Sequence, residues 1–107
     1  MMIDREKLIL MMDGDESMAD TFINAFINQL GIQIPLIRSY SVNADLEMLS
    51  NSLHVMKSQA SYMGLEEISN ACENLEQQLS HGTELHQLNE QIEHVLLKLG
   101  EILNHQQ

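Results

Sequence analysis

In the stretch LHVMKSQASYMG, residues 53–64, a histidine sits in a helix-patterned run with a lysine three residues on. Leu46, Leu49, Leu53, Met56, Ala60 and Met63 recur at spacings of three and four and define the core direction of that helix. His54 lies roughly 140° from this stripe and is expected to face solvent. Its same-face neighbours are Glu47, Ser50, Asn51, Lys57, Ser58 and Ser61, all polar. A histidine on a polar face is most often a solvated side chain and nothing more. The pairing with Lys57 is what gives it chemical interest. A neutral, accessible imidazole is a competent nucleophile, and an ammonium one turn away offers a positive point charge to a phosphoryl group carried on the ring.

Other constellations are weaker. His86, Glu90 and His94 share a face at four-residue spacing, a pattern able to hold a divalent metal but common by accident. His81 and His105 read as turn and tail residues. No histidine follows a Glu at the three-residue spacing used by di-iron bundles. Cys72 lies on an apolar stripe and reads as a small core residue. The glycines at 14, 31, 64, 82 and 100 form no phosphate-cradling loop. No metal site or cofactor is therefore expected in this chain.

Sixteen acidic residues against five basic ones give a formal charge of -11. A phosphate backbone or an anionic membrane would be repelled over most of such a surface, so nucleic acid and membrane are not expected partners. The lone cysteine cannot form an internal disulfide and fits a reducing cytoplasm. The opening MMIDREKLILMMDGDE mixes both signs of charge and holds no long apolar run, so neither signal peptide nor membrane anchor is expected.

The 107 residues are expected to form one domain, residues 1–107, with a single core. No segment alternates with a two-residue period, and apolar spacing is helical throughout. A short helix begins near Asp4, and in DGDES one of Asp13, Asp15 or Ser17 caps the next. The second helix is expected over 18–39, with Met18, Phe22, Ile23, Phe26, Ile27, Leu30 and Ile34 covering nearly half its circumference and a kink at Pro35, or failing that a break. Asn43 is the expected N-cap of the third helix, 44–63, which Gly64 ends in a left-handed conformation. The fourth is expected over 65–80, with Leu65, Ile68, Cys72, Leu75 and Leu79 inward. The fifth follows over 84–104 with Leu85, Leu88, Ile92, Val95, Leu96, Leu99 and Leu103 inward, and residues past Leu103 are expected to fray. Short connections make this an all-α antiparallel four-helix bundle with a short extra N-terminal helix.

The segment HVMKSQASYMG resembles the active helix of histidine-containing phosphotransfer (HPt) domains: a His, a Lys three residues later, then a Gly, small residues, and a second Gly ten residues past the His. His54, Lys57 and Gly64 match, and Ala60 and Ser61 suit the small positions. ISNACENLEQQL continues in the family's manner, with an apolar stripe and a Leu-Glu pair. Upstream, the short helix, acidic turn and long helix with a Phe and a mid-helix proline also look like the family's opening. Ser58 stands where the family has Gly, and Gln59 where a small residue is common.

The resemblance implies a free-standing bacterial phosphorelay protein, although a segment cut from a hybrid kinase would look the same. His54 would be phosphorylated from the aspartyl phosphate of a receiver domain and would pass the group to another receiver. It would act as a monomeric phosphocarrier rather than a turnover enzyme. Lys57 would stabilise the phosphoryl group, and Glu47, Asn51, Val55, Ser58, Ser61 and Tyr62 would meet the partner. The Ser58 hydroxyl could donate to phosphoryl oxygens, and Gln59 would hydrogen-bond toward a neighbouring helix. Mg²⁺ would reside on the receiver. Met48, Val55 and Tyr62, spaced by seven, lie on the flank opposite Lys57. Bundle helices normally touch two neighbours, so packing on the second or N-terminal helix is the ordinary expectation for them, and exposure the expectation if a receiver docks there. The alternative function is a helical adaptor that binds a receiver or sensor kinase without accepting phosphate.

Overall fold

The computed structural model describes residues 2–105. Five α-helices follow one another: α1 (Arg5–Met11), α2 (Glu16–Val42), α3 (Leu46–Tyr62), α4 (Glu66–Ser80) and α5 (Asn89–His105), with a single 3₁₀ turn at Leu85–Gln87 ahead of α5. No strand occurs among the described residues.

Capping chemistry sets most of these boundaries. Asp4, Asp15 and Asp45 each accept, through the side chain, the backbone N–H three residues on, satisfying donors that the first helical turn leaves free. Asp45, not Asn43, therefore caps α3, and Asn43 closes α2 instead. Ala44 between them adopts a φ of 53°, which excludes it from a right-handed helix. The expected kink position, Pro35, lies inside α2 without ending it. The fifth helix departs from expectation at its start, where the 3₁₀ turn and Leu88 occupy what the periodicity assigned to regular helix. The chain is still helical at His105, past the point where fraying was expected, while Gln106 and Gln107 lie outside the described residues.

The helices α2, α3, α4 and α5 pack in a ring, each against its chain neighbours, with α5 closing on α2 and α1 laid against α2. With turns of a few residues, successive helices run antiparallel. One core fills the ring, built around Leu30, Ile37, Leu49, Leu53, Met56 and Leu75 with Ile92, Leu96 and Leu99 from α5. Burying each such side chain is worth about 1.5–3 kcal/mol. Cys72 lies in this core, where burial pushes its thiol up to about 12. Three residues expected inside are half exposed, Met18, Phe22 and Leu46, whereas Ala19, Ile37 and Ile102 are buried in their stead.

The N-terminal helix is latched to the α3–α4 turn. Asp4 N–H donates to the Met63 carbonyl at 2.8 Å, and Lys7 Nζ reaches the Ser61 carbonyl at 3.5 Å and Glu66 at 3.3 Å. Gly64 has a φ of 75°, as expected of a helix-ending glycine, and a Cβ there would stand 2.5 Å from Asp4 Cβ. Arg5 clamps Asp20 of α2 through two hydrogen bonds, which hold that carboxyl below the usual carboxylate range.

Candidate functional site

His54 projects from the middle of α3, its side chain 59% exposed. Leu53 and Met56 on either side are fully buried, so the helix cannot roll to hide the ring. Nδ1 is engaged by Glu76 of α4, at 3.0 Å to Oε2 and 3.2 Å to Oε1. A carboxylate can only accept, so Nδ1 carries the proton, and the lone pair of the neutral ring lies on Nε2, at the opposite corner. Glu76 also faces Lys57 Nζ at 4.0 Å, so one carboxylate joins the imidazole and the ammonium.

What fixes Glu76 there is the register of α4 on α3. The two helices make the most extensive contact in the bundle. Ser69, the buried polar residue of the core, donates through Oγ to the Lys57 carbonyl at 3.0 Å. Seven residues, two turns, carry α4 from Ser69 to Glu76 and along the same face toward His54. The Leu75-Glu76 pair was visible in the sequence, but its role was not, because it depends on this inter-helix register.

The expected partner-facing residues Glu47, Asn51, Val55, Ser58, Ser61 and Tyr62 are all exposed on the side of α3 away from the core. Met48, Val55 and Tyr62 are 41%, 50% and 57% exposed, so ordinary packing on a neighbouring helix does not cover them. The Ser58 hydroxyl donates to the His54 carbonyl at 3.5 Å. One expectation is not met: Gln59 makes no inter-helix hydrogen bond through its buried Oε1, which has no partner. The His86, Glu90, His94 set is not assembled either. His86 lies in the 3₁₀ turn, out of register with α5, and its Nδ1 faces Glu84 at 3.2 Å. Among the described residues no three His, Cys, Asp or Glu side chains are placed to share a metal.

Beside the His54 face a groove of about 620 Å³ opens between α1, α2 and α3, walled by Leu8, Met12, Phe22, Phe26 and Met63 with Tyr62 at its rim. On the other side of Lys57 a polar hollow includes Ser58, Ser61, Ser69 and Asn70. The arrangement is an accessible nucleophilic nitrogen, an adjacent cation, a carboxylate that engages the ring, and an open apolar groove. No helix among the described residues is long and apolar enough to cross a membrane.

Comparisons with known proteins bear on the chain as a whole. Residues 18–105 match the family model described as the Hpt domain. The phosphorelay intermediate protein YPD1 of Candida albicans is 28% identical over 92 residues, 86% of this chain, and the chain spans about half of that protein's length (48%). The crystal structure of the HPT domain from an Hpt sensor hybrid histidine kinase of Shewanella superposes with a TM-score of 0.85 at 14% identity, over 96% of this chain and 88% of the other. At that identity the likeness shows the fold.

Proposed function

The chain belongs to the Hpt domain family, and from that premise we propose that it is a phosphocarrier of two-component signalling in which His54 takes a phosphoryl group from a receiver-domain aspartyl phosphate and gives it to a second receiver. The observation that carries the proposal is the His54–Glu76 contact at 3.0 Å, since it reserves Nε2 for phosphorus.

In the forward step the Nε2 lone pair forms a bond to phosphorus as the acyl phosphate P–O bond breaks, and the aspartate carboxylate of the donor leaves with the electron pair. The ring gains positive charge and keeps its Nδ1 proton, which Glu76 holds. Transfer onward is the reverse, with the second receiver's carboxylate as nucleophile and the neutral ring as leaving group. Such a transition state is loose, so catalysis rests on in-line positioning and charge compensation. Lys57 supplies the compensation: its 4.0 Å contact with Glu76 is weak enough to exchange for a phosphoryl oxygen. The Mg²⁺ that neutralises the phosphoryl group would be the receiver's, and this chain would need no cofactor of its own. On this account it is an intermediate that is phosphorylated and emptied, not a turnover enzyme. It works as a cytoplasmic monomer with Glu47, Asn51, Val55, Ser58, Ser61 and Tyr62 against the receiver.

The test mixes the protein with a ³²P-labelled phosphoreceiver and Mg²⁺. Label that is acid-labile, alkali-stable and absent from His54→Gln supports the proposal. Stable binding without label transfer, across several receivers, would mark a non-catalytic adaptor in its place.

A further inference from the structure

Lys57 is tied to α4 at both ends. Its ammonium faces Glu76 at 4.0 Å, and its backbone carbonyl accepts from Ser69 Oγ at 3.0 Å. A serine inside a helix commonly returns its hydroxyl to the carbonyl one turn back, as Ser58 does to His54. The Ser69 hydroxyl instead crosses the α3–α4 interface, and the Leu65 carbonyl one turn back accepts the Ser69 backbone N–H at 3.0 Å.

Among the described residues, the side-chain hydrogen bonds that join α3 to α4 are this one and the His54–Glu76 contact. The other buried residues of the two helices are apolar. Apolar burial is non-directional, so it holds the helices together without fixing their register to a fraction of an ångström. A hydrogen bond does fix it, and Ser69, only 7% exposed, makes one that water cannot readily replace. Ser69 lies two turns before Glu76, about 10 Å along the axis of α4 and on nearly the same face. A bond that seats α4 at the Lys57 carbonyl therefore also sets where Glu76 meets the imidazole one turn away on α3.

We propose that Ser69 is a positioning residue for the phosphoryl transfer: its bond to the Lys57 carbonyl sets the register at which Glu76 engages His54 Nδ1, and through Glu76 it selects the tautomer that leaves Nε2 free. The inference rests on the phosphocarrier function proposed above. Without the hydroxyl, the Lys57 carbonyl still has the intrahelical N–H of its own helix, so the fold is kept while α4 is released to settle at a different register.

The experiment compares wild type, Ser69→Ala, Ser69→Cys and Cys72→Ala, each alone and combined with Glu76→Ala. Heteronuclear NMR reads the His54 tautomer with no phosphoryl donor present, and ³²P label reads single-turnover transfer from a phosphoreceiver. Ser69→Ala is expected to lower the Nδ1–H population and to slow transfer about tenfold, the scale of a small misplacement at a reacting group. Where Glu76 is already Ala, the same substitution should cost nothing more, because Ser69 acts through that carboxylate. Ser69→Cys, a weaker donor of similar size, should fall between, and it carries the test if Ser69→Ala does not fold. Cys72→Ala also removes one buried side-chain atom from α4, one turn on, and should lower stability while leaving the tautomer as in wild type. The proposal is overturned by a wild-type tautomer and rate in the Ser69 variants, by an equal tautomer change in Cys72→Ala, or by a loss that persists in the Glu76→Ala background. If wild type takes label from no phosphoreceiver, the phosphocarrier function fails and the role of Ser69 in transfer with it, a result distinct from label transfer that is indifferent to Ser69.

Discussion

Glu76 Oε2 lies 3.0 Å from His54 Nδ1, across the α3–α4 interface. This contact is the geometric reason for assigning chemistry to Nε2, and it makes the tautomer of one exposed imidazole a property of the fold.

Removing that carboxylate should free the ring. In Glu76→Ala, heteronuclear NMR of the imidazole nitrogens is expected to show loss of the dominant Nδ1–H tautomer, and single-turnover phosphotransfer is expected to slow by about 10-fold to 100-fold, the scale for a lost supporting hydrogen bond. Glu76→Gln, which can still accept from Nδ1–H, should fall between. Wild-type tautomer and rate in Glu76→Ala would show that the contact positions nothing.

Lys57→Ala should leave the fold intact, because Lys57 lies outside the buried core and its ammonium makes one weak pairing, 4.0 Å from Glu76. Phosphorylation of His54 or the lifetime of the phosphohistidine should drop by about tenfold, corresponding to one charge-assisted hydrogen bond. Quench-flow with isolated phosphoprotein measures both, and unchanged values would mean that the ammonium is not used.

Gly64→Ala strikes the latch between α1 and the α3–α4 turn. The left-handed backbone and the 2.5 Å approach of Asp4 Cβ act together, so a loss of about 2–4 kcal/mol is expected. Urea unfolding reports it. A change under 0.5 kcal/mol would show that Asp4 simply moves aside.

The Cys72 thiol, raised from its ordinary value of 9.0 to about 12 by burial, stays protonated in the folded protein. A group raised on folding contributes stability that is complete below its unfolded value and is lost as pH climbs through its folded one. Stability should therefore decline between about pH 9 and 12, and Cys72→Ala should flatten that decline. A thiol reagent at pH 8 should label native protein far more slowly than urea-unfolded protein, and equal rates would contradict the burial.

Much of this was legible in the residue pattern. The stripes of α3 and α4 place their core residues because a three-four spacing has one physical reading over fifteen residues. The exposure of His54 follows from the stripe opposite it. Where neighbouring signals compete, the pattern misleads. Asn43 and Asp45 are both good caps two residues apart, and the positive φ at Ala44 decides between them. Met18 and Phe22 read as core because hydrophobicity does not distinguish a packed face from an exposed one. Glu76 and the orphaned Gln59 oxygen stayed hidden for another reason: each depends on how one helix is set against another, which periodicity within a helix does not encode.

The central claim is that Nε2 of His54 carries the phosphoryl group. ³¹P NMR of the protein phosphorylated by a receiver, read against the two phosphohistidine isomers, tests it directly. The account predicts a single Nε2-phosphohistidine resonance that disappears in His54→Gln. An Nδ1 isomer, or a phosphohistidine signal that persists in that variant, would contradict it.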